Sequence, residues 1–369
     1  MHKKIPHIIF FGYYKSFDYY KIGGLESFYR RMANILSEAG CRVSFVFYGG
    51  DSDDFYKITN SISLRHFKDF RTSLKYLRSE ATLVLDNYIL KKHRLSYSTF
   101  RMKYSRSMRF GHIYAGVPEG LQQKVIFISR KITPFNGPVL SLSYTIQKNL
   151  LKLGINSDVM FPPLPQTYCV SALEKKGRLR LTFMGRFDDN KGIQEVIALF
   201  QKVSDNNSPV DLCISGYFGH GQVHKEELEK SFNSIVNLEV QKQTWQKWSP
   251  QMDEYVIALL QKTDILILPY HNLQGTMDPP LLVLEGMACG CAVLTTDVGS
   301  VKEFYGDSRF ICERNCFVEE AYDIIDKIFS DKNILKREQE RVATKVKSLQ
   351  NSNQSVLNCL VDHYRSIDV

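Results

Sequence analysis

The chain has 369 residues, of which 44% are hydrophobic and 24% are charged, and its net charge is +9. This length exceeds one ordinary hydrophobic core, so we expect two domains. No apolar run approaches the roughly 20 residues of a membrane-spanning helix. The eight cysteines have neither metal-site nor disulfide-scaffold spacing. Composition therefore excludes a membrane-spanning or disulfide-rich protein and predicts a globular protein of the reducing cytoplasm.

Positive charge is concentrated in one stretch, from Lys57 to Lys131. Residues 57–131 contain 16 Lys and Arg but only four Asp and Glu, a net charge of +12, which leaves −3 for the rest of the chain. Such a stretch predicts an anionic partner, that is, a membrane surface, a phosphorylated acceptor or nucleic acid. Because Tyr, Phe and Leu alternate with the basic residues, we favour peripheral contact with anionic lipid. A solvated basic face without a partner is the alternative.

The first half of the chain alternates short apolar runs with amphipathic stretches. Periodicity predicts strands at 7–11, 43–48, 81–85, 124–128 and 139–142, and a helix at 24–39 that ends at Gly40. Residues 91–109 are basic and aromatic with weak periodicity. The run Pro162-Pro163-Leu164-Pro165 predicts a linker.

The second half repeats this alternation more clearly. It predicts strands at 179–184, 211–215, 236–240, 264–268 and 292–295, and helices at 192–205, 252–261, 281–289 and 353–367. Strand–helix alternation indicates α/β architecture with two doubly wound, Rossmann-like domains. We expect an N-terminal acceptor domain at 1–165, a C-terminal donor domain at 166–349, and a final helix at 350–369 that packs back on the first domain. Ligands of such sheets bind at the carboxyl ends of the strands.

A charged loop follows the strand at 179–184. It reads Gly185-Arg186-Phe187-Asp188-Asp189-Asn190-Lys191-Gly192, with Lys191 at a helix start. Arginine contributes a planar fork of donors and lysine a point charge, so the pair suits a diphosphate. A surface loop of alternating charges is the alternative.

A second candidate is the run from Asp278 to Gly290. Asp278 before Pro279 predicts an N-cap with proline in the first helical turn. Glu285 then falls in an almost wholly apolar helix, where a carboxylate needs hydrogen-bond donors. Ribose hydroxyls are such donors; a buried Arg or Lys from elsewhere in the chain is the alternative.

Two glycine turns precede predicted helices. They are Gly23-Gly24-Leu25-Glu26 and Gly299-Ser300-Val301-Lys302-Glu303. Glycine lets the backbone approach a ligand, and a helix N-terminus presents free N–H groups to an anion. Taken alone, the Gly23-Gly24 pair is more often an ordinary turn, whereas the Gly299 pattern is equally typical of a turn and of a ligand site.

Together these patterns resemble the family 4 retaining glycosyltransferases, the glycosyl transferases group 1 family, which have the two-domain GT-B fold. The resemblance is strong over residues 179–303 and weaker around Gly23. Gly23, Gly24 and Glu26 match the family's Gly-Gly-x-Glu loop. Its Gly-Arg-x4-Lys-Gly motif matches Gly185, Arg186, Lys191 and Gly192.

The family's Glu-x7-Glu motif matches only in its second half. Glu285 takes the place of the glutamate that holds the ribose, but Met277 stands where the first glutamate is expected. Asp278 is the neighbouring carboxylate, and it either replaces that glutamate or only caps the helix. The resemblance implies catalytic roles for Arg186, Lys191 and Asp278. It implies donor contacts from the following residues: Gly23, Gly24, Glu26, Gly185, Arg186, Lys191, Pro280, Leu281, Leu282, Glu285, Gly299 and Glu303.

The resemblance implies transfer, with retention, of a hexose or related sugar from a nucleotide-sugar, by default a UDP-sugar. The acceptor would be a hydroxyl of a glycan or lipid-linked molecule in cell-surface polysaccharide or glycoconjugate synthesis. Asp86, Asn87 and His112 are candidates on the acceptor side. No metal or other cofactor is expected, and Asp51-Ser52-Asp53 is discounted as a metal motif because it lies in a polar loop.

Two other functions stay open at this point. One is a sugar-nucleotide epimerase or phosphorylase with the same fold. The other is a nucleic-acid-binding protein that uses the basic stretch, which leaves Arg186, Lys191 and Glu285 unexplained. We therefore expect no nucleic-acid partner.

Overall fold

The chain folds into two compact units. The computed structural model describes residues 5–16, 18–86, 89–116, 135–168, 177–206, 208–218, 225–245, 247–274 and 276–365. The first unit contains residues 1–163 and 351–369, and the second contains residues 164–350. The strand predicted at 124–128 lies outside the described residues.

The first unit contains an eight-stranded sheet in the order β3-β4-β2-β1-β5-β6-β7-β8. Only the edge strand β3 runs antiparallel to its neighbour. The central strand β1 is buried along most of its length, as an apolar strand covered on both faces should be. The strands are β1 His7–Tyr13, β2 Arg42–Tyr48, β3 Asp54–Lys57, β4 Ile62–Phe67, β5 Leu83–Asp86, β6 Arg109–Tyr114, β7 Val139–Ser141 and β8 Asp158–Val159.

Four described helices connect these strands. They are α1 Gly24–Glu38, α2 Phe70–Glu80, α3 Arg94–Tyr104 and α4 Tyr144–Lys152. Helices α2 and α3 pack against one apolar cluster through Phe70, Leu77, Tyr97 and Phe100. This tertiary packing explains why α3 forms although its sequence has weak helical periodicity.

The second unit contains a six-stranded parallel sheet in the order β11-β10-β9-β12-β13-β14. The chain builds outward from β9 to β11 and then crosses back to β12 on the other side of β9. This reversal between β9 and β12 creates a crevice at their carboxyl ends, the usual ligand position in such sheets. The strands are β9 Leu179–Arg186, β10 Val210–Tyr217, β11 Leu238–Lys242, β12 Ile265–Leu268, β13 Ala292–Thr296 and β14 Ile311–Cys312.

Seven described helices follow or flank these strands. They are α5 Ile193–Asp205, α6 Lys225–Ser234, α7 Pro250–Lys262, α8 Leu281–Ala288, α9 Val301–Tyr305, α10 Phe317–Ser330 and α11 Asn333–Arg365. The predicted N-cap of α8 is wrong. The helix begins at Leu281, directly after Pro280, and not after Asp278. Two successive prolines delay the start, because a residue before proline is disfavoured in the helical conformation.

The long helix α11 is anchored in the second unit by a buried carboxylate. Glu338 accepts hydrogen bonds from the Tyr305 hydroxyl at 2.8 Å, from Ser308 at 2.9 Å and from Arg341 at 2.7 Å. Farther along α11, the Asn353 amide donates to the Phe161 carbonyl of the first unit at 2.8 Å. Within the described residues, no helix is both long enough and apolar enough to cross a membrane.

We expect Glu338→Ala to lower the free energy of unfolding by about 3 kcal/mol, since it leaves buried donors unsatisfied. Burial alone would raise the pKa of Glu338, but hydrogen bonds from Arg341, Tyr305 and Ser308 outweigh burial and hold the pKa below 4.5. The contribution of this carboxylate is therefore present above pH 4.5 and lost as pH falls below it. Urea unfolding at neutral and acidic pH measures both effects. Glu340→Ala, an exposed change on the same helix, is the control. Equal destabilisation by the two variants would contradict the anchoring role.

Candidate functional site

The loop after β9 is held in a fixed conformation by Asp188. One carboxylate oxygen of Asp188 accepts from the Lys191 backbone N–H at 3.0 Å, and the other lies 3.0 Å from Arg186 Nε. Gly192 then starts α5 with a φ of 70°. A Cβ atom at this position would lie 2.1 Å from the Pro269 carbonyl oxygen, so only glycine fits between β9 and the chain after β12.

The side chain of Lys191 points into this crevice. Its Nζ donates to Thr276 Oγ1 and lies 4.7 Å from the centroid of the Tyr270 ring. Burial, and then the charge of Arg186, lower the pKa of Lys191 to about 8, and Asp188 opposes this shift only in part. Arg186 is partly exposed and pairs with Asp188, so the repulsion between the two cations falls mainly on Lys191, and an anion bound beside Lys191 would relieve it.

Glu285 lies on α8 beside the same tyrosine. Glu285 is 7% exposed. Burial, and then the negative charge of Glu285, raise the pKa of the Tyr270 hydroxyl. Tyr270 therefore lies close to both Lys191 and Glu285. Pro280 and Leu281 are buried at the start of α8, and Leu282 is half-buried.

Asp278 reaches across to the next helix instead of capping its own. Its Oδ1 accepts from the Ser300 backbone N–H at 2.9 Å and from the Ser300 hydroxyl at 2.5 Å. Ser300 is the N-cap residue of α9, so Asp278 fixes the turn at Gly299 and Ser300. Gly299 has a φ of 54°, and a Cβ atom there would lie 2.7 Å from Asp278 Oδ1. Glu303, in the first turn of α9, is half-buried.

This geometry predicts different effects for two changes at position 278. Asp278→Ala removes the acceptor, so we expect the turn at Gly299 to loosen. The value of kcat/KM for the donor should then fall about fivefold to tenfold, because a lost helix cap costs roughly 1 kcal/mol. Asp278→Asn keeps an acceptor oxygen and should retain most activity. Steady-state kinetics of both variants and of Ser300→Ala tests this. If Asp278→Asn is as inactive as Asp278→Ala, the carboxylate charge acts directly on the donor.

The glycine-rich turn of the first unit lies where α1 begins. Gly23 is the N-cap residue and Gly24 the first residue of α1. Glu26 is 6% exposed, and its Oε1 lies 3.8 Å from Lys21 Nζ. Arg30, one turn farther along, donates to the Tyr19 carbonyl at 2.6 Å and the Lys21 carbonyl at 3.1 Å, which fixes the loop before the glycines.

Asp86 and His112 form a hydrogen-bonded pair at the carboxyl edge of the first sheet. The two residues lie opposite each other on β5 and β6, and His112 Nδ1 contacts Asp86 Oδ1. Asp86 is 7% exposed, whereas the imidazole is 20% exposed. Burial, then Asp86 and Glu26, raise the pKa of Tyr29, so the pair lies near the glycine turn. The third candidate of this group, Asn87, lies outside the described residues.

The structure adds two residues that the sequence patterns did not identify, Tyr270 and Thr276. They belong to no motif, and only the fold brings Thr276 to Lys191, 85 positions away. A second link supports the same loop: His271 Nε2 lies 2.7 Å from Glu195 Oε1, and the His271 backbone N–H donates to the Asn190 carbonyl at 3.0 Å.

Comparisons with known proteins agree with this architecture. The model of the family "Glycosyl transferases group 1" matches residues 170–347, nearly the whole second unit. No curated protein sequence matches the chain. The chain is similar to the solved structure of Anabaena Alr3699/HepE in complex with UDP and glucose, with a TM-score of 0.69 and 12% identity over 97% of this chain and 100% of that one.

It is also similar to an alpha,alpha-trehalose-phosphate synthase (UDP-forming) from Burkholderia xenovorans in complex with glucose-6-phosphate. That likeness has a TM-score of 0.64 and 8% identity, over 96% of this chain and 99% of that chain. At such low identity these structures establish the fold alone. They confirm the predicted GT-B fold. The family match applies to the second unit, which is similar to the group 1 glycosyltransferases.

Proposed function

We propose that this protein transfers a sugar from a nucleotide-sugar, by default a UDP-sugar, to an acceptor hydroxyl with retention at the anomeric carbon, as a family 4 enzyme. The observation that carries the proposal is the position of Lys191, whose Nζ contacts Thr276 and lies 4.7 Å from the centroid of the Tyr270 ring. Burial and the nearby charge of Arg186 lower its pKa to about 8. The fold gains nothing from this repulsion, but a diphosphate placed between the two cations relieves it. Both solved relatives are connected with UDP by their descriptions, which supports the choice of base.

The donor's diphosphate acquires negative charge as its bond to the sugar breaks. Arg186 and Lys191 stabilise that charge, with backbone N–H groups after Gly299 assisting. These groups supply the positive charge without a metal ion. Glu285 accepts hydrogen bonds from the ribose hydroxyls. No protein nucleophile is part of the proposal; the leaving phosphate takes the acceptor proton on the same face.

The acceptor belongs to the first unit in this proposal. His112, oriented by Asp86 through its Nδ1, keeps Nε2 for a hydroxyl of the incoming acceptor. We propose a glycan or lipid-linked molecule of cell-surface polysaccharide or glycoconjugate synthesis, and a reaction that takes place in the cytoplasm.

A thermal-shift panel of UDP, GDP, ADP and their sugar conjugates tests the proposal. A ligand that binds only the folded state raises the melting temperature. We expect a rise with one nucleotide class and its sugar conjugates, followed by release of nucleoside diphosphate only when an acceptor is supplied. Donor turnover without acceptor would favour an epimerase or phosphorylase. No shift with any nucleotide would contradict the proposal.

A further inference from the structure

The outer surfaces of α2 and α3 form a cationic face that has no acidic residue on α3. Residues 87–116 contain seven Lys and Arg and no Asp or Glu. Exposed cations lie along both helices and beside the ends of α3, and we call this surface the α2–α3 face. Its cations are Arg71, Lys75, Arg78, Lys92, Lys103 and Arg106.

The two helices present these cations together. Both pack on the same apolar cluster, and the Arg78 guanidinium lies 5.3 Å from the centroid of the Tyr104 ring at the end of α3. Two acidic residues flank α2. Asp69 caps this helix by accepting from the Thr72 N–H at 2.7 Å and also interacts with the charge of Arg71, whereas Glu80 pairs with Arg42 at 3.1 Å. The six exposed cations outnumber these two carboxylates, so the face has a positive net charge.

Two apolar side chains of α3 are exposed beside these cations. Leu95 is 80% exposed, more than any other large hydrophobic residue in the part of the chain that the structure describes, and Met102 is 49% exposed. They are seven residues apart on α3 and so share one side of the helix. Lys92 flanks Leu95, and Lys103 flanks Met102.

The exposed cations together with the exposed apolar side chains favour one class of anionic partner. A nucleic acid presents phosphates to the cations but leaves Leu95 and Met102 in water. A bilayer surface offers anionic headgroups to the cations and an apolar layer just below them to the aliphatic side chains. We propose that the α2–α3 face docks on an anionic lipid surface, with its cations at the headgroup phosphates and Leu95 and Met102 inserted between the headgroups.

Vesicle sedimentation tests the proposal directly. The full chain is mixed with vesicles of phosphatidylcholine alone or of phosphatidylcholine with phosphatidylglycerol, at low and high salt. We expect binding only to the anionic vesicles, weakened by salt. The triple variant K92Q/K103Q/R106Q should lose on the order of a hundredfold in affinity, since each cation near the surface contributes about fivefold. Leu95→Ser with Met102→Ser should lose about tenfold at unchanged charge.

A matched control removes three exposed lysines, one just before α11 and two on it: K332Q/K336Q/K347Q. It changes the net charge equally, and we expect it to bind anionic vesicles like the wild type. Melting temperatures and nucleotide-induced shifts show that every variant is folded. Equal sedimentation with both vesicle types, or equal losses in the two triple variants, would overturn the proposal. It would also fail if duplex DNA binds the wild type as tightly as anionic vesicles and the Leu95/Met102 variant keeps that affinity for DNA.

Discussion

Lys191→Met is expected to slow sugar transfer at least about tenfold and to raise the melting temperature of the free protein. A charge-assisted contact to the diphosphate contributes about 1.5–3 kcal/mol, and that contact is lost in the variant. Stability changes in the opposite direction. The pKa of Lys191 falls from 10.5 to about 8 on folding, so its charge costs the free fold on the order of 3 kcal/mol at neutral pH. Methionine has a similar length and removes that cost, which exceeds the lost hydrogen bond to Thr276.

Lys202 provides a matched control for this experiment. Its Nζ also lies 4.7 Å from a tyrosine ring, that of Tyr322, but it pairs with Glu319 away from the crevice. We expect Lys202→Met to leave turnover unchanged. Differential scanning fluorimetry and initial rates with the identified donor measure both effects. If Lys191→Met transfers sugar as fast as Lys202→Met does, Lys191 has no role in donor binding.

The same lysine predicts the pH dependence of the reaction. The free enzyme holds the Lys191 proton below about pH 8 and releases it above. The value of kcat/KM should therefore fall as pH rises through about 8, since this parameter reports groups of the free enzyme. In Lys191→Arg the cation persists at every accessible pH, so the decline near pH 8 should disappear. Over pH 8 to 10.5 the unfolded state binds more protons than the folded state, so wild-type stability should rise relative to Lys191→Met. A decline near pH 8 that persists in Lys191→Arg would assign it to another group.

Sequence reasoning reaches furthest where the candidate residues are neighbours along the chain. Gly185 and Arg186 end strand β9, and Lys191 lies in the loop that follows it. The strand is apolar because it is buried in a parallel sheet, and such a strand places its following loop at the ligand edge. Glu285 is conspicuous for a similar reason, because a single carboxylate interrupts an otherwise apolar helix. In both cases the physical anomaly is local.

The contact of Asp278 could not be predicted from its neighbours in the sequence. An aspartate before a proline favours an N-cap, yet its carboxylate binds Ser300, 22 positions later. The second proline delays the helix, and the fold then supplies a better donor than the local backbone. The contact of Lys191 with Thr276 and the pair of Asp86 with His112 likewise depend on strand order, which periodicity does not encode.

Glu285→Gln is expected to weaken nucleotide binding about tenfold or more. In the proposed site the charged carboxylate would accept the ribose hydrogen bonds, whereas a neutral amide of the same size offers one weaker acceptor oxygen. Glu338→Gln is the matched control. Both carboxylates belong to residues that are 7% exposed in the same unit, but Glu338 binds Tyr305 and Arg341. We expect Glu338→Gln to lower the melting temperature and leave nucleotide affinity unchanged.

A double-mutant cycle separates the ribose contact from a general disturbance of the crevice. Calorimetry would compare the nucleotide that shifts the melting temperature with its 2′,3′-dideoxy form, on wild type and on Glu285→Gln. If Glu285 binds the ribose hydroxyls, the dideoxy form binds wild type and variant equally, and the coupling energy equals the loss seen with the normal nucleotide. If the variant weakens both nucleotides to the same extent, Glu285 acts through Tyr270 and the cations around it. The buried carboxylate would then be a support for Lys191 and not a contact to the donor, and the anion-binding part of the proposal would stand without it.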